Sequence, residues 1–266
     1  MLHSVTVRTL RDGSRSLIGF AAYIVVLVAA IVAIYPSLGH NPSLAKLVQS
    51  YPETLKAFIG FGGVVDYSSG IGYLGIELFS LMLPGLLIAA AVGAGARAIA
   101  GEEEHATLDL LLANPISRRR VALEKAGAMF LTLSLLSLVT FAALAVATAA
   151  AGMDVTLGHL AAAAFAVELL ALLYGALALM VGAASGRSGL ALAVAGAAAV
   201  AAYLANVLGS LVPALAPLRQ ASPLYQYAAV DPLRHGLTFE HAAPLAITAA
   251  LLVAAAVAAF TRRDLH

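Results

Sequence analysis

Two carboxylates stand where an apolar chain tolerates them least. Glu77 and Glu168 each interrupt a long hydrophobic run, and a charged carboxylate in hydrocarbon costs several kcal/mol unless it is neutralised, paired or wet. Acids so placed can carry protons or line a polar path. Both lie about 10 Å from the nearer end of their runs at about 1.5 Å per residue, and Tyr203 and Asn206 could line the same path. The competing reading is that both acids are protonated or hydrogen-bonded packing residues. Nucleophilic chemistry has less behind it. Ser188 lies in a Gly186–Gly189 stretch reading G-R-S-G, but a serine needs a base within hydrogen-bond reach. His3, His105, His266, His40, His159, His235 and His241 are scattered through segments outside the apolar runs. They form no H-x-x-x-H pair, so a metal site is unsupported. With no cysteine, there is neither a disulfide framework nor a thiolate site.

The richest stretch in polar chemistry is Arg97 to Lys125, RAIAGEEEHATLDLLLANPISRRRVALEK. It holds five of the fifteen Lys and Arg residues and five of the fourteen acids. Glu102, Glu103 and Glu104 suit the first turn of a helix, where negative charge complements the dipole, and Thr107 can help satisfy early N–H groups. Leu108, Leu111 and Leu112 share a face at i, i+3, i+4 spacing, with Asp109 between them. Pro115 stops that helix, and Ser117 can cap another that carries Arg118, Arg119 and Arg120. An apolar face flanked by charge could anchor a stiff lever in a partner's groove. The plainer alternative is a solvated connector whose arginines pin topology. No G-x-x-x-x-G-K-[ST] segment occurs, because Lys46, Lys56 and Lys125 all lack the preceding glycines. Any ATP hydrolysis therefore belongs to a separate polypeptide.

The elements that position these groups follow from hydropathy. The chain is 62% hydrophobic and 11% charged, with a mean hydropathy of +0.95. Apolar runs of about 20 residues match about 30 Å of hydrocarbon. We read residues 1–266 as one all-α transmembrane domain with spans at about 17–35, 71–96, 126–151, 160–183, 190–212 and 243–260. Residues 97–125 form the inner loop, and 36–70 and 213–242 the outer loops. Arg8, Arg11 and Arg15 among Leu2, Val5, Val7 and Leu10 predict an amphipathic helix at the membrane surface. Pro36 is expected to end the first span, short helices are expected at 43–49 and 53–59, and Pro84-Gly85 is expected to kink the second. The first run is too long, and lacks the small-residue site, for a removable signal peptide. Six spans put both ends on one side. If that side is the cytoplasm, eleven of fifteen cations lie inside, leaving Lys46, Lys56, Arg219 and Arg234 outside. A net charge of +1 gives no reason to expect nucleic acid.

The loop resembles that of ABC-2 type transporter permeases, where E-E-x-G-T-L-E-L-L-L-x-x-P-x-S-R-R lies between the second and third spans. The likeness extends over the whole chain, including the Asp231–Arg234 segment D-P-L-R. Ala106 departs from it, standing where the family commonly has Gly before Thr107, and so does His105. The resemblance implies an ABC-2 type exporter fold with a cytoplasmic coupling helix, in a non-catalytic multi-pass subunit of the cytoplasmic (inner) membrane. It further implies pairing with a second permease copy or paralogue and with two cytoplasmic ATP-binding subunits that hold ATP and Mg. The coupling contacts would fall on Glu102, Glu103, Glu104, Thr107, Leu108, Asp109, Leu111, Leu112, Pro115, Ser117, Arg118 and Arg119. The alternatives are a proton-coupled secondary transporter using Glu77 or Glu168, and a scaffold that recruits a soluble protein without transport. The former would sit better with an internal repeat, and none is detected.

Overall fold

The computed structural model describes residues 5–38, 50–52, 54–55, 69–107, 117–229 and 231–263. The described residues are helices and turns, and six helices are long and apolar enough to cross a membrane. The first span is Ser14–Leu38. The second is built from Gly70–Leu74, a π-helical segment Gly75–Phe79, and Met82–Ala98. The third to sixth are Arg118–Ala150, Leu157–Ser185, Ser188–Leu211 and Phe239–Arg262. A surface helix, Val5–Asp12, precedes them. The helices expected at 43–49 and 53–59 fall outside the described residues, except 54–55, which are helical.

Pro36 does not end the first span, which runs two residues further, to Leu38. Pro36 forgoes the one hydrogen bond its N–H would have made to the Val32 carbonyl, and the helix still continues for two residues. Local chemistry sets other ends as the residue types dictate. Ser117 Oγ accepts from Arg120 N–H at 3.3 Å, and Thr156 Oγ1 from His159 N–H at 3.3 Å, capping the third and fourth spans. Gly186 closes the fourth span in the left-handed region, at φ +67°.

The fourth span is the centre of the bundle. In its most apolar window 72% is buried, against 61% in the second span and 17% in each of the first, fifth and sixth. Large apolar side chains such as Val26, Val146 and Leu251 stay exposed around the outside, as the lipid-facing side of a membrane bundle requires. The second and fourth spans meet through small residues. A Cβ added at Gly95 would sit 2.1 Å from the Gly175 carbonyl oxygen, and one at Gly182 would sit 3.3 Å from that of Ala96. Glycine here lets one backbone rest on another.

The second span breaks where a proline makes it break. Pro84 offers no N–H to the Ser80 carbonyl, and its ring crowds that oxygen. Leu81 leaves the helical region at φ −145°, ψ −43°, and the preceding turn widens to π geometry. Side chains take up two of the local carbonyls: Ser80 Oγ donates to Ile76 O, and the buried Tyr227 hydroxyl donates to Phe79 O at 2.8 Å. The expected kink is thus a π-bulge and a break just before Pro84. Tyr227 belongs to a string of short helices, Pro213–Leu215, Ala216–Gln220, Pro223–Ala228 and Pro232–His235. In the last of these, Leu233 packs towards Gly75 at the start of the bulge.

Candidate functional site

The acidic trio lies on a single short helix, with Glu102 and Glu103 in its first turn and Glu104 at its end. Ala100–Glu104 follows the second span directly and ends at His105. Thr107 N–H donates to Glu102 O at 2.9 Å and Ala106 N–H to Glu103 O at 3.0 Å. This crossed pair with a left-handed residue between is a Schellman ending. Ala106 occupies the left-handed position at φ +54°, where Gly would be unstrained. Sequence reasoning put these acids in the first turn of a helix that Pro115 stops. Glu102 and Glu103 do lie in a first turn, but the terminating hydrogen bonds and Ala106 end that helix at Glu104.

Each of the three carboxylates ties a different element. Glu102 Oε1 accepts from Lys125 Nζ at 2.5 Å, and its other oxygen accepts from Thr107 Oγ1. Glu103 accepts with both oxygens from the Arg263 guanidinium just past the sixth span. Glu104 accepts from Ser188 N–H at 2.8 Å and Ser188 Oγ at 2.5 Å, at the start of the fifth span. Arg263 extends the network, donating to Ala183 O at 3.0 Å, while Arg118 donates to Arg263 O at 2.6 Å. Four long helices and the end of the second span are thereby joined at one end of the bundle. Gly186 makes room for this: a Cβ there would fall 2.6 to 2.8 Å from the Arg263 and Glu103 side-chain tips.

Charge and burial set the protonation of the clasp. Burial pushes the Glu102 carboxyl up, but hydrogen bonds from Lys125 and Thr107 and the Lys125 charge outweigh it and hold it below its ordinary value. The Ser188 hydroxyl and N–H do the same for Glu104. Lys125 is 4% exposed, and Glu102 is the carboxylate paired with it.

Of the other expected site residues, Ser117 caps the third span and Arg118 belongs to the network. Arg119 is exposed. Leu108, Asp109, Leu111, Leu112 and Pro115 lie outside the described residues. Sequence reasoning missed Lys125, Arg263 and Ser188 as partners. A lone lysine in the first turns of an apolar span is the one signal that could have been used.

The intramembrane residues lie on the second, fourth and fifth spans. Glu168 is 4% exposed and accepts from Ser134 Oγ on the third span. Glu77 is half-buried in the π-bulge, one turn after Tyr73, whose hydroxyl donates to Ile31 O at 2.8 Å. Asn206 Oδ1 accepts from Arg219 Nε at 3.3 Å, and that guanidinium stands 5.0 Å from the centre of the Tyr225 ring. Tyr203 is half-buried on the same span. Among the described residues, no group of three His, Cys, Asp or Glu side chains could hold a metal.

Six membrane-capable helices, five of them joined at one end by a charged clasp, make this a polytopic membrane protein. A model of the ABC-2 family transporter proteins matches residues 8–265, and the chain belongs to that family. It is accordingly a membrane permease of ABC-type transport, a component that in this family is generally non-catalytic and works with an ATP-binding partner. Comparison with curated proteins gives no match.

Proposed function

We propose that this permease is driven by a separate ATP-binding subunit that docks on residues 97–125, and that it moves its substrate outward or between leaflets as a dimer of permeases served by two such subunits. The end of the bundle carrying Arg118–Arg120 faces the cytoplasm, as the asymmetry of cations argues. The observation that carries the reading is mechanical. The chain leaves the clasp at Thr107, bonded to Glu102, and re-enters it at Ser117 and Arg118, bonded to Arg120 and Arg263. A push on the segment between those anchors would reach the third and sixth spans and the end of the second without slack. ATP and Mg sit on the partner, and Leu108, Leu111 and Leu112 supply the apolar anchor.

Co-expression with a candidate ATP-binding subunit tests this. Wild type should retain the subunit through purification, and Leu108→Asp/Leu111→Asp/Leu112→Asp should lose it while staying monodisperse and membrane-inserted. An ATPase that never co-purifies with the wild-type chain overturns the proposal.

A further inference from the structure

A cleft of about 430 Å3 opens between the surface helix and the start of the third span, lined by Thr6, Ser117, Arg119, Arg120, Leu123, Gly127 and the carboxylate Glu124, which Thr6 and Arg120 engage. Its order of chemistry along the third span is that of a lipid along the membrane normal. Arg119 and Arg120 form the rim. Below them Leu123 is 47% exposed, a Cβ at Gly127 would meet nothing within 4 Å, and Phe130 and Leu131, 50% and 43% exposed, continue the same face. Residues 119, 123, 127, 130 and 131 fall on one side at i, i+4, i+8, i+11, i+12 spacing.

The position matches as well. The third span has 33 residues, or about 50 Å at 1.5 Å per residue, so its first turns stand at headgroup level when the remainder fills about 30 Å of hydrocarbon. The surface helix is fixed across this site by Thr6, whose N–H donates to Glu124 Oε2 at 3.4 Å and whose hydroxyl donates to Glu124 O at 3.2 Å. Glu124 also holds Arg120, at 2.9 Å. Arg119 is exposed and has no polar partner among the described residues.

We infer that this cleft binds an anionic glycerophospholipid of the leaflet at the basic end, its phosphate on Arg119 and an acyl chain along Leu123, Gly127 and Phe130. A bound lipid would wedge the surface helix against the third span, beside the Lys125 tie.

Delipidated full-length protein in neutral detergent is titrated with phosphatidylglycerol, phosphatidylcholine or inorganic phosphate, and bound lipid is counted by native mass spectrometry alongside thermal stability. Phosphatidylglycerol should bind in preference to phosphatidylcholine, with phosphate alone giving no stabilisation. Arg119→Gln should weaken phosphatidylglycerol about fivefold, the worth of one interfacial cation. Gly127→Leu, which fills open space and favours the helix, should displace the lipid without lowering the lipid-free melting temperature. Equal loss in Arg11→Gln would show diffuse surface attraction and overturn the inference. So would stabilisation by phosphate alone, or undiminished lipid binding in Gly127→Leu.

Discussion

Removing the Glu102 carboxylate should cost more than removing both members of its pair. Lys125 Nζ and Glu102 Oε1 are 2.5 Å apart, and their side chains are 5% and 20% exposed. In Glu102→Gln the ammonium stays buried without its counter-charge, a change that costs about 3–5 kcal/mol in comparable buried pairs. Lys125→Met keeps the apolar stem and removes the charge, leaving Glu102 with Thr107 and partial access to water. That single variant should lose about half as much. The double variant Glu102→Gln/Lys125→Met should return to within about 1 kcal/mol of wild type, because well-packed apolar replacements of buried pairs are often neutral. In thermal unfolding of the protein in detergent or nanodiscs, Glu102→Gln should melt roughly 10 °C lower, and the double variant should recover most of that. Additive losses in the double variant, or an unchanged midpoint in Glu102→Gln, would refute the reasoning. Either result would mean the pair is solvated in the membrane-embedded protein.

Three further outcomes follow from the same geometry. Gly95→Ala drives a Cβ to 2.1 Å from the Gly175 carbonyl, which is backbone and cannot swing aside; it should lower stability by at least about 1–3 kcal/mol, read as melting temperature and yield of monodisperse protein. Ala106→Gly relieves a left-handed alanine at φ +54° and should stabilise by up to about 1 kcal/mol, with no gain from the same change at Ala100 inside the helix. Glu102 and Glu104 both have depressed folded values, so their contribution is complete above the ordinary glutamate value of about 4.3 and is lost as pH falls through the folded values. Stability should be flat from pH 7 to about 5 and decline below, and the acid limb should be shallower in Glu102→Gln/Lys125→Met.

The chain by itself determined where it crosses a membrane. Crossing about 30 Å of hydrocarbon requires unbroken apolar length, a property of consecutive residues, so the six runs could be placed to within a few residues at most ends; the third span starts eight residues early, at Arg118. Ser117 as a cap and the distortion ahead of Pro84 were legible for the same reason, since each acts within a turn or two of itself. Pro36 misled because a proline's effect depends on how much helix remains beyond it. The ties were not legible. Glu103 meets Arg263 across 160 positions and Tyr227 meets Phe79 across 148, and no periodicity relates such residues. Which carboxylate takes which cation is settled once the spans pack, and packing turns on a few close approaches such as Gly95 on Gly175. The tertiary structure therefore decided that the acids clasp their own bundle, because a charge near the membrane takes the partner that folding brings within reach.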